Sequence, residues 1–263
     1  MAKFTNHKND FHRINLLNKI NSYLFWGLLV INIVPELLKD NLIASSQCTN
    51  LEKGIDFLNI FLFIASFLIT IITEFVLIPI AEKKRRTDYF ENSFAKNFQL
   101  KSSMQYFTNE EIMPGFYKMA INLFQNLLFT TKVSKSMSFG IIVKGIVAVV
   151  VFFILSCFGL SANKIFIPIL QAVFSLNILG HTIKFLIYYQ RMHSLFAELK
   201  TLFFQEDFKQ RIDAHIPQIL KMYVDYECNI SWGLISLEDS HFQKMNNEVE
   251  MEWQEIKTKF KIQ

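Results

Sequence analysis

The sequence predicts an all-α integral membrane protein: four transmembrane helices in two hairpins, with a cytoplasmic helical connector between the hairpins and cytoplasmic helices after the last span. Three observations predict it. Of 263 residues, 51% are hydrophobic and 28 are Phe, while only 8 are Gly and 5 Pro. The apolar residues fall in four runs too long for the strands of a soluble core. Lys and Arg crowd the segment between the second and third runs.

A spanning helix needs about 20 mostly apolar residues, because the hydrocarbon core is about 30 Å thick. The first run, about Ile20 to Leu38, reads INSYLFWGLLVINIVPELL, and Pro35 bends or ends it. The second, Ile55 to Ile80, is the longest and must tilt or protrude. The third, about Ile141 to Leu160, shows no polar–apolar alternation between Gly145 and Leu155, which argues against an amphipathic soluble helix. The fourth covers about Ile165 to Tyr189. The polar N-terminus and the lack of a small-residue cleavage site after the first run mark that run as retained.

Orientation follows from Lys and Arg in the flanks of the spans. Nine of them lie between Ala81 and Gly140, against two between Lys39 and Gly54 and one between Ser161 and Lys164. Both termini therefore face the cytoplasm. The organisation is a tail (1–19), a first transmembrane hairpin (20–80), a helical connector (81–140), a second transmembrane hairpin (141–189) and a C-terminal helical domain (190–263). Each hairpin exposes almost nothing to the outside, so sensing from that side is not expected.

The cytoplasmic segments read as helices. Thr108 and Glu111 have the capping-box spacing, and Ile112, Phe116, Met119, Leu123 and Leu127 follow at helical spacing. In the tail, Ile212, Ile216, Ile219, Tyr223, Tyr226 and Ile230 repeat that spacing. From about Asp239, a last helix carries Phe242, Met245, Val249, Trp253, Ile256 and Phe260 in a near-heptad pattern. That face suits either packing within a small helical domain or an oligomerisation seam. The tail from Arg191 holds nine basic and twelve acidic residues, the connector nine basic and five acidic, so opposite net charges favour docking of one on the other.

Polar residues inside the spans are the candidate functional positions. Asp56, Asn59, Ser66, Thr70, Thr73 and Glu74 of the second span share an arc of about 100° on an ideal helix. Lipid cannot satisfy their hydrogen bonds, so the stripe faces protein or water: a helix seam or a pore lining. In the fourth span, Gln171, Ser175 and Thr182 share one side, while Asn177, His181 and Lys184 share another. His181 and Glu74 both lie near the cytoplasmic end, where they are placed to pair. Lys83, Lys84, Arg85 and Arg86 end the second span and suit a membrane surface or an anionic ligand.

Several chemistries lack their residues. There is no Gly-rich phosphate loop, no HExxH, no CxxC and no G-x-S-x-G elbow. Cys48, Cys157 and Cys228 are far apart, and the six His are scattered, so no metal site, cofactor or catalytic residue is expected. Unlike hairpins without Gly/Pro-broken helices speak against a transporter.

The layout resembles the bacterial four-transmembrane effectors of nucleotide-signalling, CBASS-type antiphage defence. The residues carrying the likeness are IAEKKRRTDYFENSF (Ile80 to Phe94) and YFTNEEIMPGFYKMAINLFQNLLFT (Tyr106 to Thr130). The resemblance implies an effector in the bacterial inner membrane that forms or gates an oligomeric pore on a cytoplasmic signal. Its implied partners are the lipid bilayer, further copies of itself, and a nucleotide second messenger or signalling protein. No binding to a nucleic acid duplex is expected. A membrane anchor for a partner enzyme and a small transporter are the alternative readings.

Overall fold

The computed structural model describes residues 8–42, 48–96, 109–157, 179–233 and 239–262, and these are all-helical, without a strand among them. In chain order the helices are α1 (Lys8–Leu42), α2 (Cys48–Ile71), α3 (Ile78–Phe94), α4 (Phe116–Cys157), α5 (His181–Phe203), α6 (Ile212–Gly233) and α7 (Asp239–Lys259). A π-helical stretch, Ile72–Leu77, joins α2 to α3. The chain divides into two compact units. One comprises Met1–His12, Ile80–Gly140 and Lys184–Gln263, the other Arg13–Pro79 and Ile141–Ile183.

The first unit is built around the N-terminal half of α4. From Met119 to Leu128 nearly every side chain is buried, so this part of α4 is a central helix rather than a surface helix with one apolar stripe. Phe124 organises the packing. It stacks on Phe203 of α5 at 4.9 Å and meets Trp253 of α7 edge-on at 5.9 Å. Tyr89 of α3 stacks on Tyr223 of α6 at 4.9 Å and donates its hydroxyl to the Met119 carbonyl at 2.6 Å. Burial pushes the Tyr89 phenol well above its ordinary value, which keeps it a neutral donor.

One expectation is corrected in this unit, and one open alternative is decided. The helix beginning at the proposed Thr108–Glu111 capping box instead begins at Phe116, and Thr108 lies outside the described residues. Pro114 disfavours helical geometry in the residue before it, and Gly115 sits at φ +146°, a conformation that side-chain-bearing residues rarely adopt. The Gly115 amide donates to the Ser93 carbonyl at 2.8 Å, tying the start of α4 to the end of α3. A buried amide network reinforces that tie. Asn109 donates to Asn122 and Gln125, and Asn122 donates to Asn92 and Ser93. Of the two alternatives for the near-heptad face of α7, the structure takes internal packing, because Val249 and Trp253 are fully buried in this core.

Tail and connector meet through charge, as their opposite net charges suggested. Lys132 pairs with Glu252 at 2.6 Å, Lys257 with Glu111 at 2.5 Å, and Arg85 with Glu227 at 2.5 Å. The hydrogen bond from Lys257 holds the Glu111 carboxyl below its ordinary range.

A helical stretch, Lys53–Phe94, which begins in the second unit, contains a window of mean hydropathy 2.5 of which only 6% is buried. Phe57, Phe63 and Phe75 are each more than 60% exposed, and an apolar surface of this extent needs a cover other than water. A second stretch, Phe116–Val150, reaches mean hydropathy 1.7. Among the described residues, two helices are thus long and apolar enough to cross a membrane. The third apolar run has no helix of its own: it is the continuation of α4, whose 42 residues extend for about 63 Å. A Cβ added at Gly145 of α4 would lie 2.9 Å from the Thr182 side chain, so α5 approaches α4 as closely as a glycine allows. Most of the fourth run, residues 165–178, lies outside the described residues.

Trp253→Ala removes the largest fully buried side chain and is expected to lower stability by about 3–5 kcal/mol, measured by thermal or denaturant unfolding in detergent. Because the folded-state value of Glu111 is depressed, its contribution is present above the unfolded carboxylate value and lost as pH falls through the folded one. Glu111→Gln is therefore expected to lower stability modestly at neutral pH and to flatten the acid limb of the unfolding profile below about pH 4.5, where variant and wild type converge.

Candidate functional site

The residues that most limit what α3 can do lie in its first two turns. Glu82 and Arg85 are one helical turn apart, and the Arg85 side chain is only 11% exposed. Arg85 donates from Nε and Nη2 to Glu82 Oε2, at 3.1 and 2.7 Å. It also forks onto Glu227 of α6, with Nη1 to Oε1 at 3.1 Å and Nη2 to Oε2 at 2.5 Å. The Tyr226 ring covers the guanidinium at 5.8 Å. Burial lowers the basicity of Arg85, but Tyr226, Glu227 and Glu82 outweigh it and hold the group above its ordinary value. Burial, followed by the charge of Glu227, pushes the Tyr223 phenol up.

Two neighbouring cations join this cluster. Arg86 Nε donates to the Glu82 carbonyl at 3.3 Å and lies 3.7 Å from Glu227 Oε2. Lys84 donates to Asp10 of α1 at 2.6 Å. Of the four cations expected to face a membrane surface or an anion, Arg85 is thus consumed inside the protein, and Lys84 and Arg86 have acidic partners. Lys83 remains exposed. The physical reason is Glu227, a carboxylate on the buried face of α6, which requires a cation beside it.

The polar stripe of the second span resolves into two parts. Ser66 donates to Asn21 Oδ1 at 2.5 Å, and Asn21 Nδ2 donates to Thr70 at 3.0 Å. Thr70 also donates to the Ser66 carbonyl at 2.9 Å. Within one chain, this part is a seam between α1 and α2, with Asn59 half-buried on α2. Thr73 is buried and its hydroxyl has no partner among the described residues. Glu74 and Asp56, by contrast, are exposed. The shared arc assumed 100° per residue throughout. The π-helical stretch changes the register there, as the Ile78 amide donating to the Thr73 carbonyl shows. His181 is exposed, and Glu74 makes no ion pair with it among the described contacts. Gln171 lies outside the described residues.

Sequence reasoning missed Asn21, Glu82, Glu227 and Asp10. Two of these carried a signal. Asn21 is a polar residue at the edge of an apolar run, and Glu227 follows Tyr223 by four residues, on the apolar face of its helix. Nothing in the sequence pairs Asp10 with Lys84. No group of three or more His, Cys, Asp or Glu able to hold a metal occurs among the described residues. The arrangement is an ionic clasp that holds α3 against α6. No protein-family model matches the chain, and neither curated proteins nor solved structures give a match.

Glu227→Gln weakens both contacts made by Arg85 to α6. Losing one partner of a buried pair costs about 3 kcal/mol or more, whereas an apolar replacement of both partners is close to neutral. Unfolding of Glu227→Gln and of Glu82→Leu/Arg85→Met/Glu227→Leu in detergent is expected to show the triple variant, which leaves no buried charge of the cluster unpaired, recovering most of the loss.

Proposed function

We propose that the chain is a four-span protein of the bacterial inner membrane that forms or gates an oligomeric pore on a cytoplasmic signal. Following the resemblance noted in the sequence, the proposed setting is antiphage defence and the proposed signal a nucleotide second messenger. One observation carries the reading: a single helical stretch, Lys53–Phe94, combines a long exposed apolar surface with a buried ion pair to a second helix. A protein built only to span the membrane needs the first feature and not the second. In the closed state, Arg85 holds α3 to Glu227 of α6. The signal opens the pore by binding better to the state in which that contact is broken.

The polar seam contributes a second element. Ser66 and Thr70 satisfy each other through Asn21 within one chain, so exposing them to a pore requires α1 and α2 to part. The buried Thr73 hydroxyl has no partner among the described residues, which favours the parted state. The alternative reading, an anchor for a partner protein, draws on the exposed Leu220, Val224 and Trp232 of α6.

Dye release from liposomes containing the purified protein tests the proposal, with subunit number measured in parallel by mass. The wild type is expected to be quiet. Glu227→Gln is expected to leak, because losing about 3 kcal/mol shifts a two-state equilibrium about 100-fold. Absence of release from the correctly inserted variant, and from wild type with any nucleotide, would favour the anchor.

A further inference from the structure

We propose that the face of α3 beside the clasp is a binding site for a phosphate-bearing ligand. A groove of about 830 Å³ is lined by Lys83, Arg86, Thr87, Phe90, Phe94 and Lys96. Lys83, Arg86 or Thr87, Phe90 and Phe94 follow one another at three or four residues, so a single helix face forms most of the wall. Three cations line it and no acid does. Lys83 and Lys96 form no ion pair among the described residues, and Arg86 makes its contacts there through Nε. Charge left uncompensated in this way selects an anion. A guanidinium with two ammonium groups matches the several oxygens of a phosphate.

The far end of the groove is apolar and already ordered. The Phe90 and Phe94 rings lie nearly parallel, with centroids 6.1 Å apart. Phe90 is braced edge-on by Tyr223 at 5.2 Å, and Phe94 by Phe116 at 5.3 Å. The site therefore takes an anion joined to a planar or apolar body, and its volume lies in the range of small-molecule sites, about 300–1,000 Å³. Two sources share that chemistry: a soluble phosphate ester and the headgroup of an anionic phospholipid.

Arg86 connects the groove to the clasp, since its Nε is 3.7 Å from the same Glu227 oxygen that Arg85 holds. A phosphate in the groove competes with Glu227 for Arg86 and removes one of the charges that stabilise the clasp. This regulatory consequence rests on the proposed function. The binding does not, and it is measured separately from leakage.

The test uses full-length protein in a non-ionic detergent with the fluorescent anion trinitrophenyl-ATP as probe. Lys83→Glu/Lys96→Glu changes two exposed side chains and is expected to weaken probe binding at least about tenfold. Lys244→Glu, an exposed charge on α7, is expected to leave it unchanged. Displacement by inorganic pyrophosphate assigns a soluble ligand. Displacement by phosphatidylglycerol vesicles, but by neither pyrophosphate nor phosphatidylcholine vesicles, assigns a lipid headgroup. Equal binding by the wild type and Lys83→Glu/Lys96→Glu, or equal weakening by Lys244→Glu, overturns the site.

Discussion

A guanidinium that water barely reaches sets the terms for the unit built around the start of α4. Arg85 is desolvated, and only the two carboxylates facing it make that tolerable: Glu82 on its own helix and Glu227 on α6. The arrangement adds little net stability over an apolar pair of the same shape, yet it is costly to break from one side. That asymmetry separates a clasp from ordinary packing. An apolar contact between α3 and α6 would hold equally well at every charge state of its surroundings, whereas this one responds to whatever competes for its ions.

The surrounding core keeps the clasp in register. Tyr89 and Tyr223 stack beside it, and the Tyr89 hydroxyl fixes α3 to the backbone of α4. Beyond them, Phe124 gathers α5 and α7 around the same central helix. The amide network of Asn92, Asn109, Asn122 and Gln125 then pins the end of α3 to the start of α4. The α3 helix is therefore held along its length by apolar and neutral polar contacts, and near its first turns by charge. In the proposed pore, the charged end is the part that yields, because its interactions alone are open to competition from an anion.

Helix periodicity made most of the architecture legible. The spacing of Ile212 to Ile230 and of Phe242 to Phe260 located α6 and α7, since a helix that packs on one side must repeat its apolar residues every three or four positions. The beginning of α4 was not legible in the same way. A capping-box spacing at Thr108 and Glu111 is a local signal, and Pro114 with Gly115 overrode it. The candidate site was legible in part. Ser66 and Thr70 stood out as polar groups in an apolar run, but their partner Asn21 lies 45 and 49 residues away, and periodicity carries no information about which helices touch. Glu74 is exposed in the single chain, where a π-helical stretch shifts the register on which the arc was drawn. Counting cations placed Lys83 to Arg86 at a membrane end. It could not distinguish Lys83, which is exposed, from Arg85, which is buried, because burial depends on the facing helix.

The central claim is that the contact between α3 and α6 has two states and that breaking it accompanies membrane leakage. The most direct measurement is the distance between spin labels on Thr87→Cys of α3 and the native, exposed Cys228 of α6. Cys48 and Cys157 would be replaced by Ser, and the protein held in lipid. The account predicts one short distance in the quiet wild type and a second, longer population in Glu227→Gln that grows with leakage. A leaking Glu227→Gln variant with the wild-type distance unchanged would contradict it.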